Sequence, residues 1–384
     1  MRIAFFYPSS SMRIPIDLRN IWTSSRGLTG SEISCIMYVL LMSRLGHSVT
    51  LFTKVAFPGD IEKVTVCPYN EWASMYHKQE WDALCSWMLP EPLKIANPSQ
   101  FRLFNQQVSD FICCEPGWES YVDILTPLSH SHANYLAKYT EFPHDKWRIS
   151  YNGVDCNEFK PGKKESGKVI WASSHDRGLH WLLEAWPHIR AQVPHANLHI
   201  FYDFNGINTF SKQENYDSST EDGRCFNELG QRSRYVLEAL RRMNERYGIF
   251  THKSVSRNQI KEEMATSQIL AYPLDPVRYT ETFGVTVLEA CASGTVPVIC
   301  EDDCFKELWS PVSETVPPPY SEHKGEFVSK VVGILNDHEK REFMALRCRE
   351  YAQTNFDWSV LKHKFEQTLL SRGENGLSNV VWKI

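Results

Sequence analysis

The chain has 384 residues, 42% of them hydrophobic and 23% charged, with a formal net charge of −5. That composition excludes extensive disorder, and the length exceeds the roughly 250–300 residues at which one hydrophobic core stops growing, so two domains are expected. The charge balance gives no reason to expect nucleic acid as a partner.

Residues 2–7 read as a short strand, and polar sequence with Gly27, Gly30, Ser31 and Glu32 follows. An apolar helical pattern runs over 33–45, Gly46 ends it, and SVTLFT (48–53) is the next strand. Strand, glycine loop, helix, glycine, strand is one βαβ unit with parallel strands. Residues 80–89 and 101–114 carry buried-looking segments. A strand over 121–126 precedes a helix near Ser129, and a short strand over 147–150 runs into YNGVD, whose Asn152-Gly153 signals a turn. The polar stretch 157–167 is the best linker.

The second half restarts the alternation with a strand at 168–172, a helix at 179–193 and a strand at 197–202. Residues 205–233, rich in Gly, Asn and Ser, read as a long functional loop. A helix over 235–247, a strand at 249–250, a helix over 258–267, a strand at 269–272, a helix over 285–293 and a strand at 296–300 follow. Helical patterns over 327–353 and 358–370 close the chain. Two successive arrays predict an α/β fold of two doubly wound, Rossmann-like domains across a cleft, spanning 1–157 and 168–355. The terminal segment, about 358–384, is expected to pack back on the first.

The eleven cysteines are spread along the whole length, several inside apolar runs such as ISCIMYVLL and LEACASG. That suits reduced, buried thiols better than a disulfide framework. Cys300 and Cys304 form a lone C-x3-C, short of the four ligands of a closed zinc site. No run of about 18 apolar residues occurs, and the opening MRIAFFYPSSS is too short for a signal-peptide core, so a cytoplasmic location is expected.

The strongest signal is ETFGVTVLEACASGTVPVIC, residues 281–300. Gly284 lets backbone approach a ligand closely, and a helix beginning near Val285 turns the amides of Phe283 to Val285 outward at its positive end. Such a helix start suits a diphosphate or a sugar oxygen. Glu281 just outside the helix and Glu289 one turn inside can accept from sugar or ribose hydroxyls. A second signal is WASSHDRGLHWLLEAWPHI, residues 171–189, where a strand ends in a polar loop carrying Arg177-Gly178 before an amphipathic helix.

In these motifs the sequence resembles the retaining glycosyltransferases of family four, which have the GT-B fold. Glu281, Phe283, Gly284, Glu289, Ala290, Ala292, Gly294, Pro297 and Val298 match that family's E-x7-E donor-site signature. The resemblance implies that Glu281 contacts the transferred sugar and stabilises an oxocarbenium-like transition state. It implies that Thr282, Phe283, Gly284 and Val285 line the donor, that Glu289 binds ribose, and that Arg177 clamps the diphosphate. GLTGSEIS, residues 27–34, resembles the family's glycine loop, placing Gly30 and Ser31 where donor phosphate and acceptor meet. YNGVD resembles the segment at the domain junction.

Several positions depart from the family. Many relatives carry a further Arg where this chain has Ala172 and Ser173; Lys253 or Arg257 would have to supply that cation. A mid-domain histidine is replaced in RLFNQQVSDF by Asn105, Gln106 and Gln107. Among the fourteen histidines, His130, His132 and His175 are read as solvated rather than catalytic. The acidic run Glu301-Asp302-Asp303 reads as a solvated turn in preference to a D-x-D metal site.

The implied activity is retaining, metal-independent transfer of a hexose-type sugar from a donor such as a UDP- or GDP-hexose, with no cofactor. The acceptor would be a glycan, or a lipid-linked or protein-linked one. Peripheral membrane association fits lipid-linked acceptors, although no Lys/Arg-rich amphipathic helix demands it. The alternatives are a non-catalytic nucleotide-sugar or glycan-binding protein, a sugar-nucleotide epimerase, and a phosphorylase, whose cofactor lysine has no counterpart here.

Overall fold

A computed structural model describes residues 1–8, 15–24, 27–202 and 204–382; residues 9–11 of the opening segment fall outside it. The chain divides into two units, Met1–Gly153 with Phe356–Ile384, and Val154–Asn355.

The first unit is built on seven strands: β1 (Arg2–Phe6), β2 (Ser48–Thr53), β3 (Gly59–Ile61), β4 (Val64–Pro68), β5 (Ala83–Trp87), β6 (Phe101–Asn105) and β7 (Ile124–Thr126). Their order is β3-β4-β2-β1-β5-β6-β7, parallel throughout except for the β3–β4 pair. In β1 the alternation of a strand sends Ile3 and Phe5 into one apolar cluster and Ala4 and Phe6 into another, so the sheet is covered on both faces. Helix α1 (Gly30–Arg44) begins three residues earlier than its apolar pattern predicts. Thr29 explains this: its hydroxyl accepts from Glu32 N while Glu32 Oε2 accepts from Thr29 N, a capping box that starts the helix before its first apolar residue. From Glu32 to Ser43 every residue of α1 is buried, as expected of a helix sandwiched on all sides. One cover is the closing helix Trp358–Leu370, whose Trp358 and Phe365 rings lie 5.2 and 4.3 Å from that of Tyr38. Two shorter helices, α2 (Trp72–Tyr76) and α3 (His130–Leu136), complete the unit.

The second unit has six parallel strands: β8 (Lys168–Trp171), β9 (Asn197–Phe201), β10 (Ile249–His252), β11 (Ile269–Tyr272), β12 (Val296–Cys300) and β13 (Glu314–Val316). In space they run β10-β9-β8-β11-β12-β13. By chain order within the unit this is 3-2-1-4-5-6, with the winding direction reversing between β8 and β11, where an open α/β sheet presents its ligand crevice. The helices are α4 (Leu179–Gln192), α5 (Phe204–Phe210), α6 (Glu221–Arg242), α7 (Arg257–Thr266), α8 (Val285–Ala292), α9 (Phe305–Leu308), α10 (Lys324–Asn336) and α11 (His338–Phe356). The fold is thus the doubly wound α/β arrangement that the sequence pattern predicts.

Two readings need correction. Residues 205–233 are mostly helix rather than loop. Thr220 caps α6 by accepting from Gly223 N, and Glu221 and Asp222 complement the helix dipole in the first turn. The glycines there serve close packing: a Cβ on Gly223 or Gly230 would sit 1.9 or 1.8 Å from the carbonyl oxygens of Asp217 and Gln213. The polar stretch 157–167 is no free linker, because Gly162 N and Glu165 N donate to Ala265 O and Thr266 O within the second unit. Among the described residues, no helix is long and apolar enough to cross a membrane.

Candidate functional site

Two loops leave the sheet where its winding reverses. After β8, residues 172–178 lead through a tight turn, His175–Arg177, into α4. Gly178, with φ 119°, makes the entry, and a Cβ there would lie 2.0 Å from Pro273 O of the neighbouring loop. After β11, residues 273–284 lead into α8, which Gly284 opens at φ 84°. Thr286 Oγ1 ties the two loops by donating to Ala172 O at 3.0 Å.

Glu281 is buried at the centre. Its Oε2 accepts from Arg177 Nη1 at 2.5 Å and from Tyr272 OH at 2.8 Å, and its Oε1 accepts from Gly284 N at 3.0 Å. The structure therefore brings together Arg177, Glu281 and Gly284. The Gly284 amide, expected to point at a ligand, is instead committed to the Glu281 carboxylate three residues back. Thr282 and Phe283 are buried beside it, and Trp309 Nε1 fixes the loop by donating to Phe283 O at 2.7 Å.

Glu289, one turn into α8, is also buried and accepts from Arg257 Nη2 at 2.5 Å. The Arg257 guanidinium, at the first residue of α7, lies over the Phe159 ring with 5.2 Å to its centroid. Of the two cations proposed to replace the missing arginine, Arg257 reaches a motif carboxylate. Lys253 is exposed and makes no ion pair among the described residues.

The acidic run is only partly solvated: Glu301, Asp302 and Asp303 are each half-buried. Asp303 Oδ2 accepts from Thr280 N at 3.0 Å and Glu281 N at 2.8 Å, holding the backbone that carries Glu281. Burial pushes its carboxyl up to about 7 despite those two bonds, with Asp302 and Glu281 adding repulsion. Among the described residues, no group of three or more His, Cys, Asp or Glu side chains is placed to hold a metal ion.

In the first unit, Gly30 and Ser31 are the first two residues of α1, and Ser31 Oγ bonds Tyr7 OH at 2.8 Å. Asn105 and Gln107 join a buried amide network with Thr126 and Asn152, while Gln106 donates to Asp110 O. His132 and His175 are buried, correcting the expectation of solvated rings. Leu128 N donates to His132 Nδ1, so its Nε2 carries the proton given to Val108 O. Burial pushes the His132 imidazole down to about 4. Sequence reasoning missed Tyr272, Ser173, Asp303 and Trp309. Tyr272 closes an apolar strand (ILAY), and only its polar end on a buried strand hints at a role.

The chain matches the family described as glycosyl transferases group 1 over residues 158–351, half of its length. No curated protein sequence matches it. Among solved structures, it resembles the sucrose-phosphate synthase of Thermosynechococcus elongatus at 14% identity and a TM-score of 0.67, over 96% of this chain and 98% of that one. A glycosyltransferase from Rickettsia africae ESF-5 aligns at 13% identity and 0.67, over 97% and 99%. Anabaena HepE, solved with UDP-glucose, aligns at 15% identity and 0.65, over 97% and 100%. These likenesses identify the fold as GT-B. With the family covering half of the chain and every residue of the Arg177–Glu281 and Arg257–Glu289 pairs, the protein belongs to the group 1 glycosyl transferases.

Proposed function

We propose that this is a retaining, metal-independent glycosyltransferase of family four, moving a hexose-type sugar from a nucleoside-diphosphate sugar to a glycan, lipid-linked or protein-linked acceptor. The observation that carries the reading is the buried Glu281 carboxylate bonded to Arg177 beside the start of α8, at the winding reversal of the second sheet. That HepE was solved with UDP-glucose supports a nucleotide-sugar donor.

In this reading, bond cleavage moves negative charge onto the departing diphosphate and positive charge onto the anomeric carbon. Arg177, a guanidinium fork already within the site, takes the phosphate charge. Glu281, held from three sides, faces the developing oxocarbenium. Thr282, Phe283, Gly284 and Val285 shape the loop against the sugar. Glu289, with one oxygen tied to Arg257, offers the other to ribose hydroxyls. Gly30 and Ser31, at the start of α1, are assigned to the donor phosphate and the acceptor.

The test is turnover of a panel of UDP- and GDP-hexoses, with the product anomer read by NMR. Glu281→Gln should lower kcat by about 100-fold or more while the protein still folds; product should keep the donor's anomeric configuration, and EDTA should leave turnover intact. Full activity in E281Q, an inverted product, or an absolute need for Mg²⁺ would each refute the reading. Nucleotide-sugar binding without any acceptor-dependent nucleotide release would favour a non-catalytic binder.

A further inference from the structure

Resting on that reading, we propose that Tyr272, backed by Ser173, is a positioning residue that keeps Glu281 aimed at the sugar when Arg177 engages the diphosphate.

A carboxylate offers about four lone-pair directions. On Glu281, Arg177 and Tyr272 occupy those of Oε2, and Gly284 N occupies one on Oε1. A single direction on Oε1 is left for a sugar hydroxyl. Arg177 has two claims on it, the carboxylate and the phosphate. Once it turns to the phosphate, Oε2 retains one protein donor, Tyr272. Without that donor, a buried carboxylate would hold only the Gly284 amide, and its plane would be free to rotate about the last side-chain torsion.

The surroundings of Tyr272 fit this role. Its ring is buried, wedged between Trp171 at 4.8 Å and Phe305 at 5.0 Å, both set edge-on at 62° and 87°. The hydroxyl therefore has a fixed position. Its single proton goes to Glu281, so the 2.6 Å contact with Ser173 Oγ must run from the serine to the phenol oxygen. A donated bond makes the phenol a stronger donor in turn. Ser173 is itself held, since Trp171 Nε1 donates to its carbonyl at 2.9 Å. Burial, with Glu281 adding to it, pushes the Tyr272 phenol well up, so it stays a proton donor at any working pH. Strand β11 and the loop after β8 thus both contribute to the aim of one carboxylate.

The experiment uses the full chain, Tyr272→Phe and Ser173→Ala singly and together, with E281Q alongside and donor kcat and KM measured separately. Y272F keeps the ring and its packing. It should lower kcat by about 10–100-fold, the range for losing a hydrogen bond to a charged group, and change donor KM by less than about threefold. S173A should lower kcat by a few-fold, and the double variant should be no slower than Y272F, because the serine acts through the phenol. Wild-type kcat in Y272F, a change confined to KM, or additive losses would overturn the proposal. Should Y272F unfold, S173A decides alone: wild-type kcat there overturns it. Activity in E281Q would sink the underlying reading, whereas an inactive E281Q with a wild-type Y272F would sink only the role of Tyr272.

Discussion

Gly178→Ala is the sharpest test of how the loop carrying Arg177 is built. The backbone at this position has φ 119° and ψ 7°, a left-handed region costly to any residue with a Cβ. The added carbon would fall 2.0 Å from Pro273 O and 2.9 Å from Pro273 C. Both are backbone atoms of the loop after β11, so no side chain can swing aside. Relief requires moving one loop by about 1 Å, and overpacking of that kind costs about 1–3 kcal/mol. The backbone conformation adds about 1–2 kcal/mol, giving roughly 2–5 kcal/mol, at the severe end for one substitution. In thermal unfolding this is a fall of roughly 4–20 °C for a unit of this size. Turnover should fall further than stability implies, because a shift of about 1 Å in Arg177 costs about 100-fold. Gly333→Ala is the control. Gly333 is exposed within α10 with nothing within 4 Å of a Cβ, so that change should stabilise by roughly 0.5–1 kcal/mol. If G178A unfolded within 0.5 kcal/mol of wild type, roughly the scatter of neutral surface changes, the tight approach of the two loops would be wrong.

Two further predictions concern charge. Arg257→Met removes one partner of a pair whose side chains are 12% and 7% exposed, leaving Glu289 buried and uncompensated. A loss of about 3–5 kcal/mol and a raised donor KM are expected, and an unchanged urea midpoint would show the pair to be dispensable. The second is the acid limb of stability. Burial pushes His132 in the first unit down to about 4, and burial, with Arg232 nearby, pushes His180 in the second to about 3. Both are depressed below the unfolded value near 6.5, so the unfolded chain takes up protons that the folded one refuses, and stability falls as pH drops below 6.5. Each should cost about 2 kcal/mol between pH 7 and 5. His132→Gln and His180→Gln should each flatten the profile; an identical slope in the variants would refute the assignment.

Arg177 and Glu281 were legible in the sequence because charge, glycine and a helix start coincide within short windows, and the structure joins them across 104 residues. Strands β8, β11 and β12 were legible for the same local reason, as apolar runs bounded by polar turns. Strand order was not, since adjacency is decided by crossovers rather than by the strands themselves. Tyr272 and Ser173 lie 99 residues apart, and although Ser173 falls within the signal at 171–189 no residue pattern marks the pairing, so only the fold shows their contact. Asp303 looked solvated because three consecutive acids usually are; its burial depends on two amides of another loop. His132 misled similarly, its partners being carbonyl and amide groups that no residue type announces. In α6 the composition argued for a loop, and tight packing of the preceding turn against Gly223 and Gly230 decided otherwise.

The two ion pairs, one just before α8 and one on it, carry a further consequence. Each motif glutamate is matched to its own guanidinium, so this patch cancels its charge pair by pair. An approaching anion meets little net attraction from these groups and gains Arg177 only by displacing a carboxylate. Such an exchange rewards a molecule that can satisfy both halves, presenting hydroxyls to the acid and phosphate oxygens to the base. Sulfate, which carries no proton near neutral pH, can do only the second, so such an anion gains less from these groups than a molecule with both.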